Sequence, residues 1–318
     1  MPLAVGPAMS ATGGNSLPAT REFSVLIARL IADTSTLAEN LDRARALLEG
    51  QGIAIAMAET INSGEDAIEL QLPHGSAAAL RTVLDECFNP SDLLISDQPI
   101  QVPHLFVSDM DSTMIAAECI DELADFAGIK DRIAAITERA MQGELDFASA
   151  LIERVALLKG LGEEAIGQCL AERIAPMPGA RTLVATLKAR GCHTVLVSGG
   201  FHQFADPVAE QLGFERVVAN RLAVHEGKLT GGLVGGITDS GVKRTVLLEE
   251  MARLGAGAVS LATGDGANDI PMIEAATYGL AYYAKPKARA AANGWVDRGD
   301  LTSVLTLLGI PRDEWVWE

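Results

Sequence analysis

Beyond residue 100 one pattern recurs: short apolar runs at 105–107, 194–197, 259–262 and 278–283 alternate with segments of helical periodicity. Short, nearly continuous apolar runs between helices read as buried strands of a parallel sheet with helices on its faces, so an α/β architecture is expected. That architecture narrows where chemistry can sit, because ligands of an open α/β sheet bind beyond the carboxyl ends of its strands. Three of those ends are loaded. The first run leads into Asp109, Met110, Asp111, Ser112 and Thr113, the second into Ser198, Gly199 and Gly200, and the third into Thr263, Gly264, Asp265, Gly266, Ala267, Asn268 and Asp269.

Carboxylates converging from separate segments repel one another, a cost that a hard divalent cation with oxygen ligands removes; magnesium is the natural candidate. A carboxylate beside a metal can attack phosphorus, while a second carboxyl group protonates the leaving oxygen and later activates water. Asp109 and Asp111 are two positions apart and suit that pair of tasks. Ser198 offers a hydroxyl and Gly199 an unobstructed N–H to phosphate oxygens. Lys243, just inside a helical run, supplies a cation to neutralise phosphate and fix the nucleophile. Taken singly, each piece reads equally well as ordinary structure: an acidic loop, a turn, a strand-to-helix connection capped by Asn268 or Asp269, a surface lysine. Their order at the strand and helix ends of one domain favours chemistry. The segment 236–243 resembles a P-loop, but its lysine follows Gly241 by two positions instead of one.

Residues 115–176 are largely helical in pattern and too long for a simple crossover, so they are expected to form an inserted cap. Residues 217–236 alternate apolar residues with glycine-rich turns and are expected to form a hairpin extension. Upstream, 23–30 reads as a strand, and 36–51 places Leu37, Leu41, Ala44 and Leu48 on one helical stripe. A strand at 53–61, a turn at Asn62, Ser63 and Gly64, a strand at 67–72, a helix at 77–88 and an extended run at 93–96 follow. The order is βαββαβ. It resembles the ACT family of amino-acid-sensing domains, and ferredoxin-like domains generally. Many ACT domains have a glycine after the first strand; here Ile31, Ala32, Asp33, Thr34 and Ser35 contain none. Asn89, Pro90, Asp97, Pro99 and Pro103 mark a boundary near residue 100. The expected organisation is a disordered tail at 1–20, an ACT-like module at 21–100 and a catalytic domain at 101–318.

Composition excludes some partners. The 318 residues are 48% apolar, enough for a sizeable core, and carry a net charge of −17. That charge repels nucleic-acid backbones and anionic lipid surfaces, and a negatively charged substrate would have to be held by a few well-placed cations, a metal ion among them, against the rest of the surface. Cys87, Cys119, Cys169 and Cys192 contain no CxxC pair, which argues against a zinc knuckle or a disulfide framework. The first twenty residues lack Lys, Arg and a sustained apolar run, unlike a secretory signal, and no stretch of about 18 apolar residues is present. A cytoplasmic protein is expected. The histidines, His74, His104, His193, His202 and His225, show no metal-ligand spacing and receive no role.

The four ordered pieces resemble the haloacid dehalogenase superfamily, with its DxD, Ser or Thr, Lys and acidic-loop motifs, over roughly the last two thirds of the chain. More closely, the runs DMDST, VLVSGGF and TGDGANDIPM are similar to the phosphoserine phosphatase family. The resemblance implies a HAD-type Rossmann-like sheet with a helical cap and the hydrolysis of O-phospho-L-serine, the last step of serine biosynthesis. It implies Asp109 as nucleophile and Asp111 as general acid and base. It further implies magnesium held by Asp109, the Asp111 carbonyl and Asp265, with Asp269 supporting the metal's waters. Ser198, Gly199, Lys243 and Asn268 match the phosphate-binding positions. In the cap, Glu118 would meet the substrate ammonium and Arg154 its carboxylate, an arrangement suited to a zwitterion. Met141 and Phe147 would close the site against water; by their near-helical spacing they read equally as cap core. A homodimer is left open. Two rival readings stand beside this one: a phosphatase for another small phosphate such as phosphothreonine, and an amino-acid sensor with an inactive phosphatase domain.

Overall fold

The computed structural model describes residues 25–61, 66–141 and 144–317, with nothing said of the Met141 side chain. The expected tail at 1–20 and the turn at 62–64 lie outside the described residues.

The first module has the βαββαβ order: β1 (Leu26–Ile31), α1 (Leu37–Glu49), β2 (Met57–Thr60), β3 (Ala67–Leu72), α2 (Ala77–Phe88) and β4 (Asp92–Ser96). Helix α2 buries Leu80, Val83, Leu84, Cys87 and Phe88, one stripe of an amphipathic helix, and the Ser76 hydroxyl caps it by accepting from the Ala79 N–H. The strand expected at 53–61 shrinks to β2. Its first residue, Ile53, instead donates its N–H to the Leu48 carbonyl and so closes the end of α1.

The catalytic half opens with β5 (Leu105–Ser108). The cap follows as α3 (Cys119–Phe126), α4 (Lys130–Met141), α5 (Phe147–Leu157) and α6 (Glu164–Arg173). The chain returns through α7 (Ala180–Ala189) to β6 (His193–Phe201), α8 (His202–Leu212) and β7 (Arg216–Asn220). A hairpin, β8 (Leu222–His225) and β9 (Lys228–Leu233), precedes α9 (Ser240–Leu254) and β10 (Ser260–Gly264). The remainder is a 3₁₀ turn at Ala267–Asp269, α10 (Ile270–Ala275), β11 (Tyr278–Tyr282), α11 (Pro286–Ala291), β12 (Gly294–Val296) and α12 (Thr302–Leu307).

Strands β12, β11, β10, β5, β6 and β7 pair in parallel in that order; the apolar runs predict four of them, β5, β6, β10 and β11. The central strand β5 lies between β10 and β6, so the three loaded strand ends are immediate neighbours. Strand β6 is longer than expected and takes in Ser198 and Gly199; its pairing with β7 shifts register between Val197 and Phe201. Such an irregularity turns residues out of the ladder next to a site.

Two features differ from the sequence reading. The expected hairpin extension divides: β7 completes the main sheet, and only β8 and β9 form a hairpin. That hairpin lies against the cap, with hydrogen bonds from Gly160 N–H to the Leu229 carbonyl, from Leu229 N–H to the Leu161 carbonyl and from Glu163 N–H to the Gly227 carbonyl. The second is β12, which pairs antiparallel with β4 and joins the two modules in one ten-stranded sheet. Trp295 of β12 is fully buried in the core that also contains Leu80, Leu84 and Leu93 of the first module. The joint carries polar contacts as well. Asp92 accepts N–H bonds from Asp297, Arg298 and Gly299, and Arg289 of α11 pairs with Asp85 of α2 through two bonds of 3.0 and 2.7 Å. Arg81 and Arg289 both lie over the Trp295 ring.

All four cysteines are free and buried. Burial pushes their thiols up, Cys169 to about 11 and Cys192 to about 12. Among the described residues, no helix is long and apolar enough to cross a membrane.

Candidate active site

The ends of β5, β6 and β10 meet the N-terminus of α9 and the cap around a cavity of about 600 Å³. Asp109, Asp111, Glu118, Phe147, Arg154, Ser198, Gly199, Asp265 and Asn268 line it, as the sequence expects. Lys243 and Asp269 lie just behind, almost fully buried. Lys243 sits in the first turn of α9, which Asp239 starts by accepting the Val242 N–H at 2.9 Å. From there its ammonium reaches Asp109 Oδ1 and Asp269 Oδ1, each at 2.7 Å.

Burial alone would lower the Lys243 ammonium, but Asp109 and Asp269 outweigh it and raise its pKa. Burial, joined by Asp269, pushes the Asp109 carboxyl well above the usual carboxylate range, with Lys243 opposing. Asp109 Oδ1 also accepts the Met110 N–H at 2.8 Å. Asp111 is raised to about 7 by burial and by Glu118. Its Oδ1 is buried without a hydrogen-bond partner among the described residues, an acceptor or proton source left for whatever enters the cavity.

The donor set fits a hard divalent cation. Asp109, Asp265 and Asp269 are all buried, and one carboxylate oxygen from each lies within 4.8 Å of the others. Lys243 alone cannot balance those charges. Asp111 does not join this carboxylate cluster. Both Asp269 oxygens already have partners, Oδ1 the Lys243 ammonium and Oδ2 the Gly266 N–H at 3.0 Å.

Glycines make room for these groups. A Cβ on Gly264 would lie 2.6 Å from Asp269 Oδ2, and one on Gly199 would lie 3.1 Å from the Phe147 ring. Gly200 faces the Ser198 hydroxyl and Asp111 Oδ2 in the same way, at 3.1 and 3.2 Å. The Phe147 ring therefore lies over the irregularity of β6 at Gly199, where the sequence offered both a closing and a packing role. Arg154 donates its Nε–H to the Ala150 carbonyl at 3.3 Å, within its own helix; burial lowers its guanidinium pKa, while Asp121 and Glu118 act in the opposite direction.

The family model of the haloacid dehalogenase-like hydrolases matches residues 106–274, more than half of the chain and every loaded strand end. A phosphoserine phosphatase of Albidiferax ferrireducens is 46% identical over 209 residues, 64% of this chain and 88% of that protein. The chain belongs to the phosphoserine phosphatase family of haloacid dehalogenase-like hydrolases. A phosphoserine phosphatase of Streptomyces coelicolor is 45% identical over 211 residues, 66% of this chain but 51% of that longer protein. A probable phosphoserine phosphatase from Vibrio cholerae, solved without ligand, superposes with a TM-score of 0.70 at 32% identity. That likeness covers 92% of this chain and 88% of the other, so it takes in the first module as well as the hydrolase domain.

The hydrolase site also uses residues that the sequence reading passed over. Ser112 adopts a left-handed backbone with φ of 56° and donates its hydroxyl to Glu118 Oε1 at 2.9 Å, tethering Glu118 at the start of the cap to the loop after β5. Asn220, at the end of β7, donates to the Gly199 carbonyl and accepts the Thr238 N–H, both at 2.8 Å, and so clamps the β6 bulge to the approach of α9. Ser112 stood inside a recognised motif and was findable; Asn220 carried no local signal.

Proposed function

We propose that the protein hydrolyses O-phospho-L-serine to L-serine and phosphate through an aspartyl phosphate on Asp109. The observation that carries this reading is one cavity holding Asp109 and Ser198 on the sheet side and Glu118 and Arg154 on the cap side. A phosphate and a zwitterion's two ends are thereby matched at once.

In this reading an Asp109 carboxylate oxygen attacks phosphorus and the ester P–O bond breaks. Asp111, protonated in a large share of molecules near neutrality, gives its proton to the departing serine oxygen. The resulting Asp111 carboxylate then takes a proton from water, whose oxygen attacks phosphorus and expels the Asp109 carboxylate. Lys243 holds the Asp109 carboxylate in place. Ser198, the Gly199 N–H and Asn268 bind the phosphoryl oxygens, and Lys243 offsets their charge. Glu118 receives the substrate ammonium, and Arg154, freed from its helix carbonyl, its carboxylate. Phe147, with Met141, excludes water. Magnesium would be held by Asp109, Asp265 and the Asp111 carbonyl with Asp269 beside it, and when bound it neutralises charge on the phosphoryl group. Residues 21–100 serve as an ACT-like regulatory module attached to the hydrolase domain at 101–318, and the enzyme acts in the cytoplasm.

The test is magnesium-dependent phosphate release by the purified protein from L-phosphoserine, phosphothreonine, phosphoethanolamine and sugar phosphates. The reading requires L-phosphoserine to give the highest kcat/KM. A higher value for any other substrate would replace serine as the assignment, and no release from any of them would overturn the phosphatase reading.

A further inference from the structure

Two cations at the cavity have no task in the mechanism above. Lys285 ends the turn between β11 and α11 and Lys287 lies in the first turn of α11, both exposed and both lining the cavity. The turn is held in place by backbone and side chain. Tyr283 sits in the left-handed region at φ 41°, its N–H donates to the Val296 carbonyl at 2.9 Å and its hydroxyl to the Gly299 carbonyl at 3.0 Å. The Lys285 N–H donates to the Asp265 carbonyl at 2.9 Å, and its ammonium stands 3.6 Å from Asp265 Oδ2. Lys287 forms no ion pair among the described residues.

Their setting gives these charges a purpose. A doubly charged phosphate approaching a protein of net charge −17 is repelled at long range, and at close range the cavity presents Asp109, Asp111, Glu118 and Asp265. Lys243 is buried and neutralised by its two aspartates, so it projects little field outward. Exposed cations at the mouth are what reverse the local potential.

We propose that Lys285 and Lys287 form a cationic port on the Asp265 side of the cavity. The port draws in the phosphate end of the substrate and sets how fast it is captured. The inference deepens the phosphatase reading and rests on it. Two unit charges acting on a dianion across about 10 Å of water change capture by roughly 10-fold at low salt, and most of that is lost once the Debye length falls to about 3 Å.

The experiment measures kcat/KM for L-phosphoserine against ionic strength, from about 0.02 to 1 M, in wild type, K287Q, K287R and K285Q/K287Q. K287Q is the informative variant, since it leaves the Lys285–Asp265 contact intact. We expect kcat/KM to fall about 3-fold in K287Q and about 10-fold in the double variant at low salt, chiefly through KM, and to converge with wild type at 1 M. K287R should keep the wild-type slope. Calorimetric titration of inorganic phosphate into the magnesium-loaded proteins reads the same slope without turnover, which separates a failed port from a failed phosphatase assignment. Parallel salt curves for wild type and K285Q/K287Q in that titration would overturn the port. So would a loss in K287Q that persists at 1 M salt, because a structural role does not screen.

Discussion

Asp109 and Asp111 are near neighbours with divergent surroundings. Burial raises both carboxyls, Asp109 well above the usual carboxylate range against the opposing Lys243 ammonium at 2.7 Å, and Asp111, which has an unpartnered oxygen, to about 7. Their partners tell the two apart: a carboxyl fixed by Lys243 suits attack, and one with a free oxygen suits giving up a proton. Because the first step needs Asp111 protonated, kcat/KM should decline as pH rises through about 7, and a pH profile of kcat/KM with phosphoserine, whose alkoxide leaves poorly without a proton, checks that limb. Asp109→Asn preserves shape but cannot attack phosphorus, so turnover should fall by at least about 10³-fold in a protein with an unchanged circular dichroism spectrum. Arg154 separates substrates. Replacing it by alanine leaves a substrate carboxylate unpaired, a loss of about 2–5 kcal/mol, or about 30- to several-thousand-fold in kcat/KM for phosphoserine. Phosphoethanolamine, which has no carboxylate, should lose far less. Equal losses on both would make Arg154 a general support of the cap.

At the level of elements, the gathering of Asp109, Asp111, Ser198 and Asp265 at one cavity was legible in the sequence because β5, β6 and β10 are buried on both faces. Their continuous apolar runs announce a parallel sheet, and the residues following such runs must lie at one edge. Strand β12 was not legible. Gly294, Trp295 and Val296 have no strand pattern of their own; pairing with β4, some two hundred residues earlier, makes them a strand, and Gly294 is required because any side chain there would meet the Leu93 carbonyl. The hairpin's place on the cap was hidden for a similar reason, since backbone groups of Gly227 and Leu229 make the contact. Lys285 and Lys287 look like any exposed lysines until the turn is folded. The β4–β12 joint also supports a prediction. Asp92 is buried and accepts three successive N–H groups, and burial raises its pKa. Asp92→Ala orphans those donors and should cost about 2–4 kcal/mol in denaturant unfolding, while kcat changes by less than about 3-fold. A stability loss below about 1 kcal/mol would mean that water replaces the carboxylate.

Across the whole molecule, one ten-stranded sheet spans both modules although every candidate site residue follows residue 100. Deleting residues 1–100 should therefore leave the chemistry within a few-fold of normal in a protein that is harder to keep folded. The deletion uncovers Trp295, whose burial is worth about 3–5 kcal/mol, so Tm should fall by about 10 °C or more. A truncated protein with unchanged Tm would show that the shared sheet contributes no stability. The four shielded thiols have a consequence of their own. Cys87 lies in α2 of the first module, Cys119 and Cys169 lie in different cap helices, and Cys192 precedes β6 of the hydrolase sheet. Each has its pKa raised by burial and is closed to reagents while its own segment stays shut. The chain thus carries four native stopwatches: alkylation followed cysteine by cysteine would time how often the first module, each half of the lid and the sheet breathe open, with no label introduced.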